Sequence, residues 1–127
     1  MILLDYQDRR PIYEQVTEKF RILILRGVLK SGEKMPSVRQ LAMELSINPN
    51  TIQRAYMALE QEGLIYPVKG KGNFVADSSE IKRLEHRTYL EQFEEVVLKG
   101  KNLGISQEEL IDKIGELYQG GESYDRD

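Results

Sequence analysis

The 127-residue sequence contains no cysteine and only one histidine, which excludes several classes of site. Without thiols, the sequence cannot form a disulfide framework, a zinc thiolate site, an iron–sulfur cluster or a thiol redox sensor. His86 alone cannot hold a transition metal, and no Asp or Glu residues cluster around it at the spacing of metal ligands. Its neighbours are mainly Lys, Arg and Glu, so His86 is predicted to be a surface residue. We therefore expect no metal and no other cofactor.

Long apolar runs are also lacking. The most apolar run, Ile22 to Leu25, is far shorter than the roughly 20 residues that an α-helix needs to cross a bilayer. No basic segment followed by an apolar one resembles a signal peptide at the start of the chain. We therefore expect a cytoplasmic protein without a membrane partner.

A catalytic constellation is missing as well. The paired carboxylates Glu94–Glu95 and Glu108–Glu109 are adjacent in sequence, so on a helix they point in different directions instead of converging. The sequence offers no nucleophile with a plausible histidine base, because His86 belongs to a surface stretch. The sequence predicts no catalytic residues and no enzyme.

The formal net charge of −3 conceals a division along the chain. Residues 1–77 carry eleven Lys or Arg against nine Asp or Glu, a net charge of +2, whereas residues 78–127 carry seven against twelve, a net charge of −5. This asymmetry indicates that an acidic partner would be met by the N-terminal part.

Two short helices joined by a tight turn form the central pattern. The first follows a polar loop at residues 30–34 and begins at Ser37, which forms a capping box with Gln40 three residues on. The second is capped by Asn48, with Pro49 at its first position. Both helices repeat apolar residues at i, i+3, i+4 and i+7, the spacing of one inner face: Val38, Leu41, Ala42 and Leu45, then Ile52, Ala55, Tyr56 and Leu59.

The flanking sequence predicts a platform and a hairpin for this pair. An earlier helix begins at Pro11 and ends near Gly27. After the pair, two β-type runs at residues 64–68 and 74–76 surround a glycine-rich turn at 69–73 and predict a β-hairpin. Three helices followed by a basic hairpin predict a winged helix-turn-helix domain over residues 1–77.

The C-terminal part predicts two more helices, over residues 78–119. The first is long and amphipathic and runs to about Lys101; the second is opened by Ser106 in a capping box with Glu109. Their apolar stripes need a partner, which is either the first helix of the same chain or the same helices of a second chain. We favour the homodimer, with these candidate interface residues: Leu90, Phe93, Val97, Leu110, Ile114 and Leu117. Residues 120–127 are polar and are expected to be disordered.

The outward side chains of the helix pair are of the types that contact DNA bases and phosphates. In a helix-turn-helix the second helix enters the major groove, where Asn and Gln suit adenine and Arg suits guanine. The start of the first helix can hold a phosphate on its free N–H groups. The candidate DNA-binding residues of the two helices are Ser37, Arg39, Asn50, Thr51, Gln53 and Arg54.

The hairpin turn adds Lys69, Gly70, Lys71 and Gly72 to the candidate DNA-binding residues. Glycines allow a close approach to a nucleic-acid strand, and lysines neutralise phosphates. A dinucleotide-binding loop is a poor alternative, because these glycines do not open a helix in a βαβ unit. The alternative function is a winged-helix module for protein–protein interaction without DNA binding.

Several blocks of the sequence occur in an order and at a spacing that closely resemble the GntR family of bacterial transcriptional regulators. They are Gly32–Ala42, Asn50–Ile52, Leu59–Ile65 and Gly70–Val75. Two further blocks, Pro11–Val16 and Asn48–Tyr56, together with the short C-terminal region, resemble the YtrA-type subgroup.

The resemblance implies a winged-helix fold, mainly α with a small hairpin and a short C-terminal two-helix dimerisation region. It also implies a homodimeric repressor of double-stranded operator DNA, often of its own operon with ABC transporter genes. By position it assigns DNA contacts to Ser37 and Arg39, recognition-helix positions to Asn50, Thr51 and Gln53, and the wing to Gly70–Gly72. Many members carry arginine at positions 49 and 53, where this chain has proline and glutamine, so their base contacts do not transfer. The effector and the operator sequence are not implied.

Overall fold

A computed structural model describes residues 4–5 and 7–120 of the chain. This part contains five α-helices and one antiparallel β-hairpin, which confirms the predicted fold class. The predicted tail at 120–127 lies outside the described residues except for Gly120. The elements are α1 (Ile12–Leu25), α2 (Val38–Leu45), α3 (Pro49–Gln61), β1 (Ile65–Val68), β2 (Gly72–Val75), α4 (Ser79–Asn102) and α5 (Gln107–Gln119).

Side-chain caps fix where α2 and α3 begin. The Gln40 N–H donates to Ser37 Oγ at 3.0 Å, and the Asn50 N–H donates to Asn48 Oδ1 at 2.8 Å. Each cap satisfies one of the backbone donors that a helix start leaves without a partner. The Gln40 side chain donates to Glu44 Oε1 at 3.4 Å instead of reaching back to the cap. The predicted capping box is therefore formed only in its serine half.

The turn between α2 and α3 lies at Ser46–Ile47, as predicted. Ser46 adopts a left-handed conformation with φ 56° and ψ 47°. The Ile47 N–H then donates to the Ala42 carbonyl at 2.9 Å, and the Ser46 N–H donates to the Met43 carbonyl at 3.3 Å. This bond pair is the Schellman motif, which satisfies carbonyls at a helix C-terminus and turns the chain sharply.

The core of the winged domain lies where α3 packs between α1 and α2. Phe20 of α1 meets Tyr56 of α3 edge to face, with ring centroids 5.8 Å apart and an interplanar angle of 88°. Burying a large apolar side chain stabilises the fold by about 1.5–3 kcal/mol. The buried apolar residues of the three helices are Val16, Phe20, Ile24, Leu41, Ala42, Ile52, Ala55, Tyr56 and Leu59.

The hairpin presents one face to this core. In its register Ile65 pairs with Val75, and both side chains are buried. Tyr66 pairs with Phe74 on the opposite face, and their rings stack with centroids 6.1 Å apart. Period-2 alternation therefore places one apolar pair inward and one aromatic pair outward.

The segment Glu33–Met35, most of which is predicted from the sequence to be a polar loop, also pairs with β2. The Val75 N–H donates to the Glu33 carbonyl at 2.8 Å, and the Met35 N–H donates to the Asn73 carbonyl at 2.9 Å. Between them, Lys34 forms an antiparallel bridge with Phe74. Backbone pairing thus attaches the segment that leads into α2 directly to the wing.

A second compact unit starts at Ile81, after a first unit that ends at Glu80. In the second unit the start of α5 is capped by Ser106 Oγ, which accepts the Glu109 N–H at 3.1 Å. Gly100 of α4 is buried, and a Cβ atom there would lie 3.7 Å from Leu110 Cδ1. A methyl group would therefore fit there in ordinary van der Waals contact, and the packing of α4 against α5 does not itself require glycine.

His86 is exposed on α4, as the sequence predicts. No helix in the described part of the chain is both long enough and apolar enough to cross a membrane.

Candidate nucleic-acid interface

The outward face of α3 carries the side chains predicted to read bases. Because Ile52, Ala55, Tyr56 and Leu59 are buried, the opposite side of the helix is left to solvent. Asn50, Gln53 and Arg54 are exposed there, and residues three or four apart on a helix are neighbours. Thr51 is half-buried at the flank of the same first turns. The structure therefore brings three of the four predicted residues of α3 together on one accessible face.

The start of α2 places the predicted phosphate-contacting residues next to free helix N–H groups. Ser37 and Arg39 are both exposed. Ser37 Oγ accepts the Gln40 N–H, which leaves its own hydroxyl proton available for donation. The first N–H groups of a helix and its positive dipole end add to the attraction for a phosphate.

A partly buried hydrogen bond connects the segment before α2 to α3. The Tyr56 hydroxyl donates to the Pro36 carbonyl at 2.7 Å, directly before the cap of α2. Burial raises the pKa of Tyr56, and the negative charge of Glu44 raises it further, so the phenol stays protonated and can donate. The sequence placed Tyr56 in the core through its spacing, but it gave no signal for this bond.

The wing presents its predicted residues at the tip of the hairpin. Lys69, Gly70, Lys71 and Gly72 are all exposed, and the Lys71 N–H closes the turn on the Val68 carbonyl at 2.9 Å. Gly70 has φ +78° and Gly72 has φ +111°, a region that favours glycine. The turn therefore needs these glycines for its own backbone, whatever the wing binds.

Lys34 is a further cation beside the wing that the sequence analysis missed. A Cβ atom built on Gly72 would lie 3.4 Å from Lys34 Cε, so the end of the lysine side chain lies beside Gly72 of the wing. Lys34 lies beside the wing because the backbone of Glu33–Met35 pairs with β2. That pairing leaves no side-chain pattern, so the sequence could not have indicated it.

Arg54 is packed on an aromatic ring from α1. Its Cζ lies 3.7 Å from the centroid of the Tyr13 ring. A guanidinium at this distance over a ring face forms a cation–π contact. The sequence predicts a DNA-contacting role for Arg54. It gives no sign of the contact with Tyr13, because the two residues are 41 positions apart in the chain.

The residues predicted for dimerisation lie on a largely uncovered apolar surface of the second unit. Phe93, Val97, Leu110 and Ile114 are brought together in an open groove of about 580 Å³ between α4 and α5. Leu90 and Leu117 are 62% and 70% exposed and do not line that groove. The remaining lining residues are Lys101, Ile105, Gln107 and Ile111.

Comparisons with known proteins agree with this geometry. Residues 12–75 match the family described as bacterial regulatory proteins, gntR family. The chain is 34% identical over 119 residues to the HTH-type transcriptional repressor YtrA of Bacillus subtilis, with 92% of each chain covered.

Two solved structures are similar as well. A GntR family transcriptional regulator from Listeria monocytogenes superimposes with a TM-score of 0.69 at 36% identity, covering 89% of this chain and 98% of the other. The DNA-binding domain of AraR in complex with operator ORR3 gives a TM-score of 0.52 at 32% identity, covering 60% of this chain and 92% of that domain.

These matches confirm the predicted family and the prediction of a regulator instead of an enzyme. They also favour DNA binding over a module that only contacts proteins, since one of the similar structures is a DNA-binding domain in complex with its operator. The chain belongs to the gntR family of bacterial regulatory proteins and is a DNA-binding transcriptional regulator of the GntR type.

Proposed function

We propose that the chain is a homodimeric repressor that binds a palindromic operator in the cytoplasm. The observation that carries the proposal is the set of exposed residues on α3, at the start of α2 and at the tip of the wing, which we propose form one DNA-binding surface. Its basic and amide side chains suit DNA, and the residues behind them are locked into the core. The repressor YtrA and the operator complex of AraR support the same function by similarity.

Within this surface, two groups of residues have different roles. Asn50 and Gln53 of α3 meet base edges in the major groove, where amides bind adenine in a bidentate manner. Ser37 and Arg39, with Lys69 and Lys71 of the wing, contact phosphates and fix the position of the protein on the duplex. The glycines Gly70 and Gly72 let the backbone of the wing approach the strand.

The proposed dimer forms through the second unit. Its groove and the exposed side chains of Leu90 and Leu117 form an apolar surface that a second copy of the chain would cover. A two-fold symmetric dimer presents two reading helices, and it therefore matches an inverted repeat whose half-sites lie about one helical turn, or a multiple of it, apart. The operator is thus a palindrome because the protein is symmetric.

The similarity to YtrA-type repressors supports one further element of the proposal, the regulated genes. The chain is proposed to control its own operon together with ABC transporter genes. The neighbouring genes and an inverted repeat upstream of the first of them provide a direct check.

The proposal is tested by selecting duplexes from a randomised library with the purified protein. The expected product is one preferred inverted repeat bound by two chains, with affinity that falls steeply as salt is raised, because counterions are released from phosphates. No binding at low salt, or enrichment of no common sequence, would overturn the operator proposal. A single half-site bound by one chain would overturn the dimer alone.

Two substitutions test the division of roles. Gln53→Ala should relax preference at one base-pair position, at a cost of about 1–3 kcal/mol on the preferred sequence. Lys71→Ala should weaken binding to all duplexes to the same extent and lower the salt slope by about one. Equal and sequence-independent losses from both variants would show that α3 is not the reading surface.

A further inference from the structure

We propose that Tyr13 of α1 is a positioning residue for DNA binding, which holds the Arg54 guanidinium in place for its DNA acceptors. The inference rests on the proposed DNA-reading role of α3 and adds a residue from a different helix. Its basis is the stacked contact, in which Arg54 Cζ lies 3.7 Å from the centroid of the Tyr13 ring.

The stack leaves the hydrogen-bonding capacity of Arg54 unused. In the described part of the chain, Arg54 makes no ion pair with a carboxylate and no side-chain hydrogen bond. A guanidinium that lies over a ring face keeps its N–H donors in its own plane, where they can form a bidentate contact with a phosphate or a guanine edge. The contact with Tyr13 therefore orients the arginine without consuming its donors.

Arg54 lies on the face of α3 that is proposed to contact DNA, so its orientation matters for binding. Arg54 follows Asn50 by one helical turn on the exposed face of α3, beside Gln53. A residue at this place faces the same groove or its edge when the first turns of α3 meet base edges. An arginine needed only for solubility would gain nothing from a fixed orientation.

Tyr13 provides a firm support for the arginine. Its ring is half-buried, its hydroxyl donates to Glu14 Oε1 at 3.3 Å, and its carbonyl accepts the Thr17 hydroxyl at 2.7 Å. The helix that carries it is fixed against α3 by the edge-to-face contact of Phe20 with Tyr56. The ring is thus held in a fixed position relative to the core. Its contact with Arg54 restricts the rotamers of the arginine in the DNA-free protein.

Preorganisation of this kind improves affinity because less side-chain freedom remains to be lost on binding. A cation–π contact at an exposed site corresponds to a two- to fivefold effect on a binding constant, at about 0.5–1 kcal/mol. The loss on removal of the ring should therefore be smaller than the loss on removal of the arginine itself.

The experiment is a double-mutant cycle on the full chain, with the duplex that the wild type selects from the randomised library as probe. Tyr13→Leu should weaken binding about two- to fivefold, and Tyr13→Phe, which keeps the ring, should bind like the wild type. In the Arg54→Ala background, Tyr13→Leu should cause no additional loss. Thermal unfolding of every variant shows whether the fold is retained.

Several results would overturn the proposal. An equal loss from Tyr13→Leu with and without Arg54 would mean that the ring acts through the fold or through a contact of its own. A loss from Tyr13→Phe as large as that from Tyr13→Leu would assign the effect to the hydroxyl. If Tyr13→Leu fails to fold, Arg54→Lys replaces it, since this exposed substitution keeps the charge but loses the planar stack, and unchanged binding by it would also overturn the proposal.

The same measurements separate this proposal from the proposed function. A wild-type chain that selects no sequence would contradict the operator proposal before the cycle begins. A wild type that selects its operator, combined with a cycle without coupling, would overturn the role of Tyr13 alone. Duplexes with single base-pair changes then identify the acceptor, because a guanine contact affects one position and a phosphate contact affects all sequences equally.

Discussion

Ser46 is the residue where the backbone is least suited to its side chain. It is the one non-glycine residue with positive φ in the described part of the chain. For an L-residue the left-handed conformation costs about 1–2 kcal/mol, whereas glycine adopts it freely but loses about 0.5–1 kcal/mol more in entropy on folding. Ser46→Gly should therefore stabilise the protein by about 0.5–1 kcal/mol, measured as the free energy of unfolding in urea.

Ser31→Gly provides a matched control, because Ser31 is exposed in a turn and does not have a positive φ. The same change of residue should be neutral or slightly destabilising there. Equal effects at both positions would show that the left-handed backbone of Ser46 stores no strain.

Lys34 allows a second prediction at the scale of single residues. The end of its side chain lies beside Gly72 of the wing, so in the proposed complex Lys34 would help neutralise a phosphate that the wing contacts. Lys34→Gln should weaken binding to all duplexes alike and lower the slope of log affinity against log salt by about one. The slope is measured by fluorescence anisotropy over a series of salt concentrations.

Lys30→Gln removes the same charge from the same connection, before the segment that pairs with β2. It should leave the salt slope close to that of the wild type. Identical slopes for the two variants would contradict a specific contact by Lys34 and would indicate only a change in overall charge.

At the scale of elements, Tyr56 links α3 to the segment that leads into α2. Tyr56→Phe keeps the ring against Phe20 but removes the hydrogen bond to the Pro36 carbonyl. The bond is partly buried, so water can reach the Pro36 carbonyl once the phenol is gone. Losing an ordinary hydrogen bond costs about 0.5–1.5 kcal/mol, and urea unfolding near pH 7 should show a loss of that order.

The pH dependence of this loss has a definite sign. Burial raises the pKa of Tyr56 in the folded state, whereas in the unfolded chain a tyrosine ionises near its ordinary value of about 10. Above that pH the unfolded state releases the proton and the folded state retains it, so the stabilising contribution of the phenol is lost as pH rises. The difference between wild type and Tyr56→Phe should shrink above about pH 10; a constant difference would contradict this explanation.

The elements also show which structural features a sequence reveals. Ser37, Asn48 and Ser106 could be recognised as caps because a cap depends on residues only two or three positions away. The pairing of Lys34 with Phe74 and the stacking of Arg54 on Tyr13 could not, since both join segments about 40 residues apart. Backbone pairing in particular needs no special side chain, so a polar segment gives no indication that it will pair with a strand of the hairpin.

The same reason explains the limits of the predicted site. Spacing was enough to place Asn50, Gln53 and Arg54 on one exposed face, because helical periodicity is a local property. The support behind that face, from Tyr13 and Tyr56, depends on how α1 and α2 pack against α3. Those contacts follow from the whole core and not from any one motif.

At the scale of the whole molecule, the second unit carries an exposed apolar surface, which the proposed dimer would cover. Phe93 is 39% exposed and lines the groove between α4 and α5 with Val97 and Ile114. Burying a charge in an apolar interface is strongly unfavourable unless the charge is paired, so Phe93→Glu should convert the proposed dimer to monomers in sedimentation velocity. Its winged domain should stay folded, because Phe93 belongs to the other compact unit.

Val28→Glu is the control, since Val28 is also an exposed apolar side chain, at 59%, but belongs to the first unit. It should leave the dimer intact.

The Phe93→Glu monomer should bind a single half-site almost as well as one chain of the wild type does. On the full inverted repeat it should lose about 10²–10⁴-fold, because the second winged domain is no longer tethered to the first. A Phe93→Glu protein that sediments as a dimer would show that these helices serve another purpose. A monomer that keeps full affinity for the inverted repeat would show that dimerisation does not determine how the operator is bound.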